Sequence, residues 1–320
     1  MGYQHISIDE REVILKMKEN SKTIEEIAER IGRSRTTVWR ELQRNTSSTG
    51  QYKAHLAQKY YCRRRSNAKQ PYRLDNDMLK DYVITKIEQD WSPEQIANRL
   101  KRSHPNKNKM RISTGTIYHH IYQDKAQGGK LYKHLRHGLR KRRKRYGSTE
   151  KRGQIPNKRI IDQRPKVVET RKRIGDWESD SVVGRNHKSH IATHVERKSR
   201  FMLSAKLESK SADDYNAATI RLFKRIPDSR IKTMTVDNGK EFAGFKQLEK
   251  QLNTKVYFAH PYCSYERGTN ENANGLLRQY FPKGTDFNLV SQKEFDNAVE
   301  RLNNRPRKCL NYRTPAEVFN

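Results

Sequence analysis

The apolar positions change period near residue 174: before it they recur at helical spacing, and after it short strand-like runs alternate with helices. Ser7 and Glu10 form a capping box, which predicts a helix running to about Lys18. Thr23 and Glu26 repeat the signal, and Ile24, Ile27, Ala28 and Ile31 then share one helical face. Gly32 makes a turn, and Ser34 caps a third helix with Val38 and Leu42 inward. Three short helices over 5–45 in this arrangement form a helix-turn-helix pattern. With Ser34 at its start, the third helix would turn Arg33, Arg35, Thr36, Thr37 and Arg40 outward, a set suited to base edges in a major groove. The competing reading is a plain three-helix bundle with a solvated basic face.

Residues 73–123 read as a looser second copy. Ser92-Pro93-Glu94-Gln95 supplies a cap, a proline at the first helical position and a side chain reaching back. Ile96, Ala97 and Leu100 follow as the apolar stripe. Past a polar loop, Ser113, Thr114, Thr116 and Tyr118 open a second candidate recognition helix; a purely structural bundle is the alternative. Between the two copies, Tyr60-Tyr61-Cys62-Arg63-Arg64-Arg65 reads as a basic connector or a charged helix end.

Charge narrows the partners. The 320 residues carry a net charge of +32, with only 33% hydrophobic residues. So much like charge repels itself in a compact fold and is relieved by polyanions, above all nucleic-acid phosphates. From His134 to Arg173 there are 16 Lys or Arg against 3 acidic residues, and Arg140, Lys141, Arg142, Arg143, Lys144 and Arg145 are consecutive. Such a block resists packing into a core and is expected to lie along DNA as a linker. No run approaches the roughly 20 apolar residues of a membrane span, and the N-terminus lacks a signal-peptide apolar region. Three widely spaced cysteines, Cys62, Cys263 and Cys309, suggest neither a disulfide framework nor a zinc site. A cytoplasmic protein is expected, nucleoid-associated when on DNA.

After Ile174 the expected order is strands at 177–184, 191–195 and 201–207, a helix at 211–226 with Ala217, Ile220 and Phe223 inward, and a strand at 231–236. A helix at 241–252, a strand at 255–258 and two further helices near 269–281 and 291–304 complete it. Three antiparallel strands, then helix–strand–helix–strand, then helices, is the RNase H-like order. The predicted chain is therefore multidomain: all-α helix-turn-helix modules, then an α/β RNase H-like, retroviral-integrase-like core with a mixed five-stranded sheet. The expected division is 1–50, first helix-turn-helix domain; 51–72, connector; 73–125, second helical domain; 126–173, basic linker; and 174–320, catalytic core.

Three acids stand at informative places in that core. Asp180 lies inside the first strand, Asp237 at the C-terminal end of the fourth in Val236-Asp237-Asn238-Gly239, and Glu271 near a helix start. Strand ends are where α/β sheets build sites. On the last helix, Ala273, Leu276, Leu277 and Tyr280 form a core face, while Arg267, Glu271, Asn274, Gly275 and Arg278 form the opposite stripe. Glu271 is therefore not a core residue, and Arg267, Asn274 and Arg278 beside it suit phosphate. Gathered carboxylates repel unless a cation joins them, and hard oxygen donors select Mg²⁺ or Mn²⁺. Two such ions support in-line phosphodiester displacement. Asp176 and Glu266 are rivals for the first and third positions. Trp177 reads as a core aromatic, and Asn270 as a supporting contact.

Trp177-Glu178-Ser179-Asp180, Val236-Asp237-Asn238-Gly239 and Glu266-Arg267-Gly268-Thr269-Asn270-Glu271-Asn272 resemble the DDE transposases of the bacterial insertion-sequence-thirty family. So do the 33 residues between Asp237 and Glu271, the Arg197-Lys198-Ser199-Arg200 run and the terminal Asn303-Asn304-Arg305-Pro306-Arg307-Lys308 segment. His194 and Glu196 depart from the family's more usual Leu and Asp. The resemblance implies that Asp180, Asp237 and Glu271 are a catalytic triad holding two Mg²⁺ or Mn²⁺ ions. It also implies that the N-terminal modules bind terminal inverted repeats, and that a homodimer or larger assembly forms on double-stranded DNA. Two other functions compete: a helix-turn-helix regulator with an inactive core, and an RNase H or junction nuclease, against which the long N-terminal region counts.

Overall fold

The structure, a computed structural model, describes residues 5–47, 50–68, 72–136, 155–261 and 263–320. The basic residues Arg140, Lys141, Arg142 and Arg143 lie outside this set. Contacts divide the chain into two compact units, Met1–Asp75 and Asn76–Asn320.

In the first unit, α1 (Ile8–Glu19), α2 (Ile24–Arg30) and α3 (Arg35–Asn45) start at Ser7, Thr23 and Ser34, the first two with complete capping boxes. Gly32 takes φ +65° at the turn, a conformation glycine adopts without steric cost. Ile14, Ile27 and Val38 are fully buried between the helices. The basic connector is itself a helix, α4 (Ala54–Ala68), which buries Ala54 and Ala57. Two alanines are too weak an apolar signal to announce it. A buried guanidinium ties the bundle: Arg11 on α1 donates to Glu41 on α3 at 2.7 Å, to the Ile6 carbonyl at 2.8 Å and to Gln58 on α4.

The second unit begins with α5 (Asp77–Glu88), α6 (Pro93–Ser103) and α7 (Thr114–Ala126). Ser92 and Gln95 close the capping box of α6, and Ile96, Ala97 and Leu100 are buried as the stripe requires. The sheet follows: β1 (Asp176–Val183), β2 (His190–Glu196), β3 (Met202–Leu207), β4 (Thr233–Val236) and β5 (Lys255–Phe258), in spatial order β3-β2-β1-β4-β5. β1–β2 and β2–β3 are antiparallel, whereas β1–β4 and β4–β5 are parallel, so the sheet is mixed and five-stranded. α8 (Ala212–Phe223) and α9 (Phe245–Leu252) cover one face around Trp177, Met234 and Phe258. α10 (Gly268–Leu277) and α11 (Gln292–Asn303) cover the other around Ile191, Val195, Leu277 and Phe295. The chain closes with α12 (Pro315–Phe319).

One detail departs from the sequence reading and two add to it. On α8 the inward residues are Tyr215, Ala218, Thr219 and Phe223, while Ala217 is exposed; the bulky Tyr215 takes the sheet-facing place and sets the rotation. The catalytic fold also reaches back before 174. Arg159 and Ile160 bond the edge strand β5, and Arg164 is buried against Thr235 and Glu169. Finally, α6 meets the chain's end: Gln95 donates to the Pro306 carbonyl at 2.7 Å, Tyr312 to Glu94 at 2.8 Å, and Arg99 pairs with Glu317. By their contacts, residues 76–125 and the core fall within one compact unit.

Candidate active site

Alternation along β1 decides what each residue of Trp177-Glu178-Ser179-Asp180 meets. Trp177 points to the α8 side, edge-on to Phe223 at 4.8 Å, with its indole N–H donating to the Arg230 carbonyl. Glu178 points to the α10 side, fully buried, and accepts from Arg197 at 2.8 Å and from the Asn270 backbone N–H at 2.9 Å. Asp180 lies two residues on and therefore faces the same side. There the Asn274 amide donates to it at 3.1 Å and its own neighbour Ser181 N–H at 2.9 Å.

Asp237 directly follows β4, whose parallel register with β1 pairs Glu178 with Thr235. Two residues further along, Asp180 inside β1 and Asp237 just past the end of β4 come side by side. One guanidinium spans them: Arg267 sits 3.3 Å from Asp180 Oδ1 and 3.3 Å from Asp237 Oδ2. Burial raises the Asp180 pKa; Arg267 opposes that shift and the Asp237 charge adds to it. Two anions this close favour a shared cation, and here Arg267 supplies one.

Glu271 is exposed on α10, on the stripe between Arg267 and Asn274, both of which touch Asp180. Among the described residues no group of three or more His, Cys, Asp or Glu is arranged to hold a metal ion. The structure therefore brings the two aspartates together and leaves Glu271 on the flanking helix face. The rivals have other partners. Asp176 is buried, paired with Arg173 and accepting from Thr233, and Glu266 is held by the His260 ring and backbone at 2.8 Å each.

Sequence reasoning passed over Glu241. It is 4% exposed, accepts from Ser181 at 2.5 Å, and keeps its second oxygen buried without a partner. A side chain at Gly239 would collide with both that oxygen and Asp237, so the two carboxylates border the same tight turn. Its only sequence signal was proximity to Asp-Asn-Gly. Asn270 is more than a supporting contact: fully buried, it bonds the Glu178 and Thr193 carbonyls and so locks α10 onto β1 and β2. The two adjacent aspartates offer hard oxygen donors of the kind a divalent cation takes, and the unpartnered Glu241 oxygen borders the same turn as Asp237.

The proposed DNA-contact residues divide. On α3, Arg35, Thr36 and Arg40 are exposed, together with Trp39, which the sequence reading did not single out. Arg33 is not outward but paired with Glu10 at 2.8 Å, because it precedes the cap and lies off the helix face. Ser34 and Thr37 are engaged in the cap itself. Ser113 and Thr116 cap α7 in the same way, Thr114 is partly buried, and Tyr118 is exposed and stacked with Tyr122. Arg267 is turned into the acid pair, and Arg278 donates to the Val183 carbonyl at 2.9 Å.

Comparisons with known proteins place the chain in a family. Residues 2–45 match the helix-turn-helix domain family, and residues 170–264 the integrase core domain family. The transposase for insertion sequence element IS4351 of Bacteroides fragilis is 39% identical over 99% of this chain and 95% of its own length. Transposase InsI for element IS30A of Escherichia coli is 38% identical over 98% of this chain and 83% of its own. The transposase for element IS1086 of Cupriavidus metallidurans is 36% identical over 99% and 94%. A solved catalytic core domain of BIV integrase aligns with 46% of this chain and 94% of its own at 21% identity and a TM-score of 0.38. With helix-turn-helix, integrase core and near-full-length identity to these relatives in one chain, the protein belongs to the insertion-sequence-thirty family of transposases.

Proposed function

We propose that this chain binds the terminal inverted repeats of its own insertion sequence, cuts the element ends and joins the 3′-hydroxyls to target DNA. Asp180, Asp237 and Glu271 are the acid set. The observation that carries the reading is the meeting of Asp180, inside β1, with Asp237, just past the end of the adjacent parallel strand β4, bridged by Arg267, with Glu271 on the same helix stripe as Arg267 and Asn274. Their oxygens would hold two Mg²⁺ or Mn²⁺ ions, which when bound activate the attacking hydroxyl and stabilise the leaving oxygen. The protein's own groups prepare that chemistry. Asn274 orients Asp180, Arg267 neutralises the pair, and Lys158 and the Ala259 carbonyl pin Asn238 in the turn behind Asp237.

The exposed faces of α3 and α7 would read the repeats. Holding two ends together requires at least a dimer on DNA. With no helix long and apolar enough to cross a membrane among the described residues, a cytoplasmic, nucleoid-bound protein is the consistent setting. Asp237→Asn tests the site. Incubated with end-bearing duplex and Mg²⁺, it should neither nick nor join DNA while binding the ends as tightly as wild type. Normal strand transfer by this variant would overturn the assignment, and wild-type binding without nicks would favour the regulator.

A further inference from the structure

Two motifs of the sequence contribute nothing to the acid pair: Arg197-Lys198-Ser199-Arg200 between β2 and β3, and the terminal Arg305-Pro306-Arg307-Lys308 run. Both reach one cavity. It has a volume of about 270 Å³ and is bordered by Gly268, Thr269 and Asn272 of α10. Its charged wall consists of Arg171, Arg200 and Arg307, with no acidic residue. A second hollow of about 380 Å³ adjoins it, sharing Asn272, Leu276, Arg307 and Cys309, and adds Arg136, Arg305 and Lys308.

Three of these arginines, Arg200, Arg305 and Arg307, donate to neutral groups. Arg305 is 3% exposed and Arg307 is mostly covered, yet the Nε of each is buried without a hydrogen-bond partner. Arg305 donates to the Gln279 side chain and Arg307 to the Leu302 carbonyl, both neutral. Arg200 donates to the neutral Thr269 hydroxyl at 2.8 Å. The acids of the adjoining hollow are already engaged: Asp90 by His134 and Arg301, Glu94 by Lys308 and Tyr312. Burial, and then Arg305, push Arg307 down to about 10; burial, then Arg200 and Arg197, lower Arg171. Guanidiniums that repel one another around one hollow stabilise an anion placed among them. The N-terminus of α10 at Gly268 adds its amide dipoles from the same side.

We propose that this cavity is a phosphate-binding subsite that grips a backbone phosphate of double-stranded DNA beside α10, the helix that also carries Glu271. The inference rests on the transposase reading for the identity of the anion, though not on the choice of acids. A strand anchored there is held by the two arginine motifs while the opposite stripe of α10 faces Asp180.

The test uses the full-length protein and an end-bearing duplex without divalent metal, so that binding is read independently of cleavage. The exposed Arg171 side chain makes no hydrogen bond among the described residues, so Arg171→Gln should fold normally, and Arg200→Gln is the second variant. Each should weaken binding several-fold near 0.1 M salt and reduce the slope of log affinity against log salt by about 0.9, the loss of one phosphate contact. Cys309, exposed at the rim, provides an independent readout: saturating duplex should slow its alkylation at least about tenfold. A wild-type salt slope in the Arg171→Gln/Arg200→Gln double variant would overturn the proposal. So would a Cys309 alkylation rate unchanged by DNA, or protection by inorganic phosphate equal to that by duplex. Failure of Asp237→Asn to lose activity would leave these binding results standing, so the two readings fail separately.

Discussion

A carboxylate acquires its role from what stands opposite it. Asp176 and Glu178 lie in the same strand as Asp180 but are consumed by Arg173 and Arg197, respectively. Glu266 is likewise taken by His260, whereas Glu271 stands one helical turn beyond Arg267 on the stripe that meets Asp180. Glu271→Gln is therefore expected to lower Mg²⁺-dependent nicking by about a thousand-fold or more, the scale of losing metal-assisted chemistry, while Glu266→Gln keeps it within about ten-fold. A nicking assay showing the reverse order would exchange the two. Burial works on His194 in another way. Its ring sits between Ser179, Thr219 and Phe223, and burial lowers its pKa to about 3. The unfolded chain binds this proton near pH 6.5, before the native state does. Stability should therefore fall by about 1.4 kcal/mol per pH unit as pH drops from about 6.5 towards 3. Urea unfolding across that range should show a flatter acid limb for His194→Leu; parallel curves would count against it.

Elements are held in place by a few polar ties laid over ordinary apolar packing. In the first unit, one buried arginine joins α1, α3 and α4. Removing one member of a buried ion pair costs about 3–5 kcal/mol, whereas replacing both with apolar groups costs far less. Arg11→Met should therefore reduce hydrogen-exchange protection in α1 and α3 by roughly a hundred-fold or more, with most of it regained in Arg11→Met/Glu41→Leu. Equal loss in both variants would show that packing, not the charge, is decisive. In the core, Asn270 plays a comparable part, fastening α10 to two strands and so fixing where Glu271 can reach.

At the scale of the whole molecule, the net charge of +32 finds its outlets in distinct places: the exposed face of α3, the arginine cavity beside α10, and the basic stretch around Arg140. The second helical region is fastened to the end of the catalytic unit through Gln95, Glu94 and Arg99. The second helical region and the carboxylates thus share one compact unit. The proposed joining of two element ends calls for more than one chain. Light scattering of the protein on end-bearing duplex should give a mass of at least two chains per complex, and a single-chain mass would refute the assembly.

The amino-acid sequence alone determined the parts that depend on near neighbours. Capping at Ser7, Thr23 and Ser92 set helix starts, the strand expected at 177–184 matches β1 to within a residue, and Asp237 stood at a legible place because a strand end is a local feature. Only the tertiary structure decided which distant groups meet. It turned Arg267 onto Asp180 and Asp237, gave Arg33 to Glu10, placed Glu241 beside the turn after β4, made a helix of Ala54–Ala68 and gathered Arg171, Arg200 and Arg307 around one hollow. Charge–charge proximity depends on distances through space between residues far apart in the chain. Periodicity and spacing encode only neighbours along it.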